Sequence, residues 1–487
     1  MSSHPKNVVF TLLKIRGEMT PDDILSSLPS TSRSPPDSEL VPIFLVTPSF
    51  ALWVDTNSDF LEKWVNQHYH SPSGSDSRSA YIVVAIVDQL PDARAQHDSD
   101  KLSEFEGMTF MTVGVESIHG KAAVPRRVRA MSTEESALVF SFRSNDPGTS
   151  SDGGQGRVHE IGLRLANTIF INGHETTLFG TRWIYDTPSS RYTLDQSLAL
   201  SRCIVTSNAK TIHNSFQLPL HPVSQRRRVI SSMGNILRQL SKHTDDTSTA
   251  SMPASSELEK ELPRYIDEHG IVDQRVSVWA LVEAPGQISG TSADGSKDGV
   301  IRRIKAGGKL HRVMSGGGGW GKKQGLLSLD PEVRFLDLTE SDGVSSLDHI
   351  FSPIEANPSA DAPPSLDKLM TGGDLSSLSQ VAREGDYIQF FVSVDPYNAD
   401  GNGTESSTSR GAVSYTFGVV ADAEVPIDMA APGAEKDLRV FPNTFGALSE
   451  KAITYTQPAT RTPSPNERVE CSTKLDIPGC RVELVVE

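Results

Sequence analysis

The sequence predicts an α+β fold: two mixed β-sheet regions with packed helices and many polar surface inserts. Three observations carry this expectation. Apolar and β-branched runs of strand length recur along the whole chain, as at Val41 to Val46 and Ala80 to Val87. Amphipathic stretches with helix-start chemistry lie between the early runs, so a strand–helix–strand crossover is expected near the start. Segments rich in Ser, Pro, Gly and Asp interrupt the pattern and read as surface expansions of a smaller core. At 487 residues, with 37% hydrophobic and 22% charged residues, the chain is long enough for two or three domains with real cores.

Taken in order, Asn7 to Ile15 reads as a strand, and Thr20-Pro21-Asp22-Asp23 as a helix start, with Thr as N-cap, Pro in the first turn and carboxylates at the positive end. That helix stops at Leu28-Pro29. Val41 to Val46 is a buried-type strand, Asp59 to Tyr69 an amphipathic helix with Phe60, Trp64 and Val65 on one face, and Ala80 to Val87 the most apolar strand. Both strands are apolar on both faces, which predicts adjacent, central positions. Met108 to Val115 and Ala137 to Phe142 are strands. Ile161 to Ile171 runs into Asn172-Gly173 and returns at Thr176 to Trp183, the pattern of a β-hairpin.

Leu200 to Val205 and Ser215 to Leu220 read as strands. Gln225 to Leu240 reads as a helix, with Val229, Met233, Ile236, Leu237 and Leu240 on one stripe. Ser256-x-x-Glu259 is a capping-box spacing, and its helix should reach His269, kink at Pro263 and stop at Gly270. Val276 to Val282, the run feeding Tyr387 to Val392, Val413 to Val420 and Cys480 to Val486 are strands. Asn145 to Gly156, His243 to Pro253, Gly286 to Gly299 and Ser341 to Gly373 are the polar inserts. The domains expected are 1–188, an N-terminal α/β region; 189–432, a C-terminal α+β region; and 433–487, a loop-rich tail with a final strand.

The stretch from His311 to Leu338 carries the sharpest functional signal. Lys309 to Met314 enters the run Gly316-Gly317-Gly318-Gly319-Trp320-Gly321-Lys322-Lys323. Ordering four consecutive glycines is costly, so a close approach of backbone or ligand, or a gating loop, is expected there. Gly316 and Gly321-Lys322 match the G-x-x-x-x-G-K spacing of a phosphate loop, but Lys323 stands where Ser or Thr would ligate magnesium. Leu326 to Pro331 is strand and turn chemistry, where a phosphate loop would open a helix. A glycine-rich hairpin or gating loop with a basic rim fits better. Trp320 would pack down to anchor it, and Lys322 and Lys323 would face an anion. Asp88, just past the Ala80 to Val87 strand, stands where a ligand-binding carboxylate lies in an open α/β sheet, and equally where a turn residue would.

Other candidates weigh less. Cys203 lies in a β-type run and reads as a core cysteine. His68 and His70 have no Cys or carboxylate cluster beside them and read as surface residues, and Asp386 after Gly385 reads as turn chemistry. No Gly-x-Ser-x-Gly elbow occurs. No cofactor, metal or catalytic residue is assigned. A net charge of −15 disfavours nucleic-acid binding. Three cysteines, Cys203, Cys471 and Cys480, give neither a disulfide framework nor zinc spacing. No run is long enough for a membrane span and no signal peptide is evident, so a cytoplasmic protein is expected.

Several short motifs resemble FIST domains (F-box and intracellular signal transduction). Asn167-Thr-Ile-Phe-Ile-Asn-Gly173 resembles the end of the family's N-terminal half, and Val41 to Val46 with its following helix suits the start of that half. Gly325-Leu-Leu-Ser-Leu-Asp330, followed by Glu384-Gly-Asp-Tyr-Ile-Gln-Phe390 and then Tyr415-Thr-Phe-Gly418, resembles the second half. The resemblance spans about residues 7 to 450; the Cys and Gly-Arg-Gly expected near Val413 to Gly418 are absent. It implies a two-part, non-enzymatic sensor or ligand-binding module for a small metabolite or a protein partner. Two other classes stay open: an enzyme holding a phosphate or carboxylate substrate on Gly316 to Lys323, and a structural subunit of a larger assembly.

Overall fold

The computed structural model describes residues 8–16, 19–28, 40–56, 58–69, 79–92, 104–123, 136–144, 158–173, 177–244, 250–271, 276–286, 297–316, 325–332, 343–352, 380–393, 412–421, 437–457 and 471–487. The chain opens with β1 (Val9–Arg16), α1 (Pro21–Ser27), β2 (Leu40–Val46), α2 (Asp59–His68), β3 (Ser79–Ile86), β4 (Leu90–Pro91), β5 (Glu104–Phe105), β6 (Gly107–Gly114) and β7 (Ile118–Ala122). It continues through β8 (Ala137–Ser144), β9 (Val158–Arg164), α3 (Ile169–Asn172), β10 (Leu178–Asp186) and the long β11 (Arg191–Gln217). Next come β12 (Leu220–Pro222), β13 (Arg227–Met233), β14 (Ile236–Ser241), β15 (Ser251–Pro253), α4 (Ser256–Glu268), β16 (Val278–Glu283), α5 (Lys297–Lys305), β17 (Lys309–Gly316) and β18 (Leu327–Leu329). Last are β19 (Ser345–Ser346), α6 (Leu347–Phe351), β20 (Tyr387–Ser393), β21 (Val413–Val419), β22 (Asp437–Pro442), β23 (Thr444–Ser449), β24 (Ile453–Gln457), β25 (Cys471–Leu475) and β26 (Arg481–Val486).

The expected crossover is present. Thr20 Oγ1 accepts the Asp23 N–H while Asp23 Oδ2 accepts the Thr20 N–H at 2.8 Å, a reciprocal cap that starts α1. Ser58 caps α2, whose Phe60, Leu61, Trp64 and Val65 are buried. β2 and β3 pair in parallel, flanked by β6 and β10, and both are central. Their alternate residues face two different cores. Phe44, Val46, Ile82 and Val84 pack under α1 and α2, whereas Ile43, Leu45, Val83 and Ala85 face the interior of the large sheet.

That large sheet has sixteen strands among the described residues and curls towards itself. Asn443, at φ 59°, is a corner: β22 pairs with β1, while β23 pairs with β21, β21 with β26, and β26 with β11. Irregular register along β11 lets one strand pair in turn with β10, β7, β8 and β26. The second sheet closes more tightly. β16, β17, β18, β14, β13 and β20 pair each to the next and β20 returns to β16, a six-stranded ring. Val278, Ala280, Val282, Ile388, Phe390 and Val392 belong to its own core, while the alternate Trp279, Leu281 and Phe391 join the core of the large sheet. The ring is therefore seated on the large sheet through the outer faces of β16 and β20.

The α+β class is corrected by these findings: the protein is mostly β, with barrel-like sheets. Among the described residues the longest helix, α4, has 13 residues, and α1 and α2 cover only one patch of one sheet. Two element readings fail for identifiable reasons. Gln225 to Leu240 is the β13–β14 hairpin, turning at Gly234 with φ 59° and Asn235. Asn172-Gly173 ends the short α3, with Gly173 at φ 74° as a left-handed cap, and β10 pairs with β3 and β11, not with β9. Strands from all three sequence segments enter the large sheet, including β22 to β26 of the tail. The insert Asn145 to Gly156 lies outside the described residues.

Candidate functional site

The glycine-rich stretch closes a β-hairpin. β17 and β18 pair as Val313–Leu329, Ser315–Ser328 and Gly316–Leu327, antiparallel. A Cβ added at Gly316 would stand 2.1 Å from Leu327 Cδ2 and 3.1 Å from Leu326 O, so close approach holds at that glycine. Gly325 has φ +83°, and its Cβ would meet Pro253 at 2.7 Å. The chain leaves the loop into strand β18, so the helix N-terminus on which a phosphate loop depends does not follow. Gly317, Gly318, Gly319, Trp320, Gly321, Lys322 and Lys323 lie outside the described residues.

At the hairpin's exit an ion network ties it to the large sheet. The Lys474 ammonium, with only 8% of its side chain exposed, bonds the Asp330 carboxylate, Glu332 Oε2 at 3.0 Å and, more distantly, Asp476 Oδ2 at 3.7 Å. Arg164 Nη2 reaches Glu332 Oε1 at 2.6 Å. Burial works to lower the Lys474 pKa, but its carboxylate partners prevail and the net shift is upward. Trp279 Nε1–H donates to Asp476 Oδ1 at 2.7 Å. Within this frame His311 is 1% exposed, and its Nδ1 lies 2.8 Å from the Asp330 carbonyl. A carbonyl only accepts, so Nδ1 carries the hydrogen and Nε2 is left as a buried acceptor without a partner among the described residues. Burial pushes the imidazole down to about 4, so it is neutral near pH 7.

Asp88 belongs to the same end of the molecule. Its Oδ2 accepts the Glu450 N–H at 2.8 Å. Two residues later Ala452 precedes the pair Ile453–Leu163, and Leu475, the partner of Ile453 on its other side, precedes Asp476. Arg164, Ala452 and Asp476 thus occupy neighbouring positions at one end of three paired strands, about 5 Å apart from strand to strand. Ala166, two residues beyond Arg164, bonds Ile86 O, two residues before Asp88. Burial pushes the Asp88 carboxyl up to about 6; the Glu450 N–H opposes this, the Glu450 charge adds to it and Lys451 offsets it. Among the described residues no hydrogen bond joins Asp88 to the hairpin itself.

Asp88 is thus linked to the open end of the hairpin, at Asp330 and Glu332, through Arg164, Lys474 and Asp476, while the glycine end, where Gly316 pairs with Leu327, lies at the other end of β18. None of Arg164, Glu332, Lys474 and Asp476 was legible as a site residue. Arg164 and Glu332 are 168 positions apart, and Lys474 and Asp330 are 144. Among the described residues the network's charges pair with one another, and Asp88, whose carboxyl burial pushes up to about 6, stands outside it.

The remaining candidates resolve simply. Burial holds the Cys203 and Cys480 thiols up at about 12, and raises the half-buried Cys471, so none is poised as a thiolate. His68 stacks on Trp64 with ring centres 4.4 Å apart and bonds its carbonyl; His70 lies outside the described residues. Asp386 Oδ2 accepts the Arg383 N–H beside Gly385 at φ 94°, which is turn chemistry. Among the described residues no group of three or more His, Cys, Asp or Glu is arranged to hold a metal, and no helix is long and apolar enough to cross a membrane. No family model, no curated protein and no solved structure matches this chain.

Proposed function

We propose that the protein is a non-enzymatic, intracellular ligand-binding module of the FIST type, which takes a small polar metabolite at the strand ends between Asp88 and the base of the glycine hairpin. The observation that carries the reading is the linkage of the strand end at Asp88, whose carboxyl burial pushes up to about 6, with the open end of the hairpin through residues from opposite parts of the chain. The carboxyl offers a protonation-sensitive hydrogen-bonding partner. The hairpin offers backbone groups, and its sequence carries Lys322 and Lys323, which lie outside the described residues. The pairing of the neighbouring charges argues for recognition over catalysis, because no nucleophile stands beside a free base there among the described residues. Three free thiols are consistent with a reducing compartment.

The test is a thermal-shift screen of the full chain against nucleotides, organic acids, amines and sugars, on wild type and Asp88→Asn. A ligand present at a hundred times its Kd adds about 2.7 kcal/mol to apparent stability. At least one class should raise the wild-type Tm and lose that effect in Asp88→Asn. A screen in which no compound raises the wild-type Tm, or in which every shift survives the substitution, rejects the reading.

A further inference from the structure

The segment 343–352 lies in sequence between β18 and β20, two strands of the ring, yet it docks on the large sheet. By sequence it belongs to the polar insert Ser341 to Gly373, but its Leu347 and Phe351 are 0% and 1% exposed and join the interior core. Ser345 and Ser346 of β19 pair antiparallel with Gly120 and His119 on one edge of β7, whose other edge is taken by β11. α6 follows as little more than one helical turn. Its five residues are too few to hold a helix alone, so its order comes from what it sits against.

The seat for this turn is built into the sheet. Gly120 of β7 and Gly180 of β10 both stand beside Leu200 of β11, whose Cδ1 would lie 3.9 and 3.7 Å from a Cβ added at each. The Cβ at Gly180 would press on Phe351 Cζ at 3.1 Å, and that at Gly120 on Ile350 Cδ1 at 3.0 Å. Glycine inside a strand weakens it and marks a place where another group comes close. Here both glycines stand where an anchor side chain comes down. The rim is prepared as well. Asp195 Oδ2 holds Arg182 through Nε and Nη2, each at 2.6 Å, and Arg182 Nη1–H donates to the Phe351 carbonyl at 2.5 Å, at the negative end of the turn. The Tyr81 hydroxyl donates to the Asp348 carboxylate, and its ring centre lies 5.5 Å from that of Phe351.

We propose that this groove across β7, β10 and β11 docks a partner protein presenting a strand pair followed by a Leu-Asp-x-Ile-Phe turn, and that 343–352 is its resident competitor. The seated segment shows the chemistry that the groove takes: backbone pairing to a strand edge, then apolar anchors on one face of a helical turn. The occupant is a separate partner because a second copy gains nothing: exchanging identical segments replaces each contact with the same contact. A partner's segment competes instead with a tethered one, whose effective concentration is of about millimolar order. The groove uses neither Asp88 nor the glycine hairpin, so it stands apart from the ligand site.

The experiment uses the full chain and a fluorescein-labelled peptide of the sequence Gly343 to Ser352, followed by fluorescence anisotropy. Wild type should bind it saturably. Leu347→Ala with Phe351→Ala, whose own segment has lost two anchors, should bind it at least about tenfold more tightly. Absence of saturable binding to wild type at about 1 mM peptide overturns the proposal, because the segment is then a fixed strut. Equal affinity for the two proteins overturns it as well. If the double variant loses cooperative unfolding, two controls on the single-site background decide. Gly180→Val fills the space of Phe351 and should abolish binding, and a peptide with both anchors replaced by Ala should not bind wild type. Unchanged binding in either control places the peptide elsewhere and rejects the groove. Wild-type dimers that form with rising concentration and vanish in the double variant assign the groove to a second copy and overturn the separate partner.

Discussion

Lys474 is largely and Lys305 partly withdrawn from water, and their surroundings differ in one respect. Lys474 is surrounded by Asp330, Glu332 and Asp476; Lys305 has an amide oxygen and an aromatic ring. The first lysine is held charged and its pKa rises, whereas the second is destabilised in its charged form and its pKa falls. Burial alone does not decide what a lysine does. The carboxylates within reach decide which way its pKa moves, and they make Lys474 a structural strap.

The largest expected effect follows from removing the strap. Lys474→Met leaves three carboxylates close together with Arg164 as their remaining cation, and breaking a buried ion pair from one side costs about 3–5 kcal/mol. Denaturant unfolding should show that loss, and Glu332→Gln added to Lys474→Met should recover part of it, because one unpaired charge is then gone. A Lys474→Met protein as stable as wild type would make the two lysines equivalent and dissolve the comparison.

A smaller effect, of opposite sign, is expected at Asp88. Its carboxyl titrates at about 6 in the fold against an ordinary value of 3.8, so the native state binds the proton more tightly than the unfolded chain. Stability from this group is greatest below pH 3.8 and is lost as pH rises to 6. Asp88→Asn keeps an acceptor for the Glu450 N–H and removes the charge. It should stabilise the protein at pH 7 by about 1–2 kcal/mol, discounted for the partial exposure of the site. The gain should vanish by pH 4. His311, pushed down to about 4, has the opposite dependence between pH 6.5 and 4, so the measurement is the difference between variant and wild type across that range. A stabilised variant that no longer binds ligand would mark Asp88 as a site residue kept at a cost to the fold.

The local parts of this architecture were legible because local chemistry made them. Thr20 to Asp23 specifies a cap within four residues, and the two apolar faces of β2 and β3 announce a strand buried on both sides. β13–β14 misled because Val229, Met233, Ile236, Leu237 and Leu240 satisfy a helical stripe. Register shifts between Val229 and Ser232 blur the alternation that would have revealed strands, so Gly234-Asn235 was the signal to weigh. Asn172-Gly173 fits a hairpin and a helix cap equally well, since both need a left-handed glycine. Asp88 and the glycines could be suspected from their positions in sequence. Lys474, Arg164 and Glu332 could not, because what defines them is each other across 142 to 168 residues of chain.

The smallest effect on stability, and the sharpest on the comparison, is expected at Lys305. Lys305→Met keeps the aliphatic stem against Phe216 and removes a charge that burial disfavours, so stability at pH 7 should change by no more than about 0.5 kcal/mol. The distinguishing readout is the alkaline slope. With its folded pKa lowered, Lys305 penalises the fold while it is charged, and the penalty lifts as pH rises towards the ordinary value of 10.5. With its folded pKa raised, Lys474 stabilises the fold up to pH 10.5 and loses that contribution above it. Unfolding of wild type between pH 9 and 11 should therefore contain two opposing slopes, one from each lysine. Lys305→Met should delete the rising one alone, leaving a stability that holds level and then falls. If the substitution steepens the rise, the two lysines do not differ in the way their neighbours imply, and the amine at Lys305 is as tightly held in its charged form as the strap.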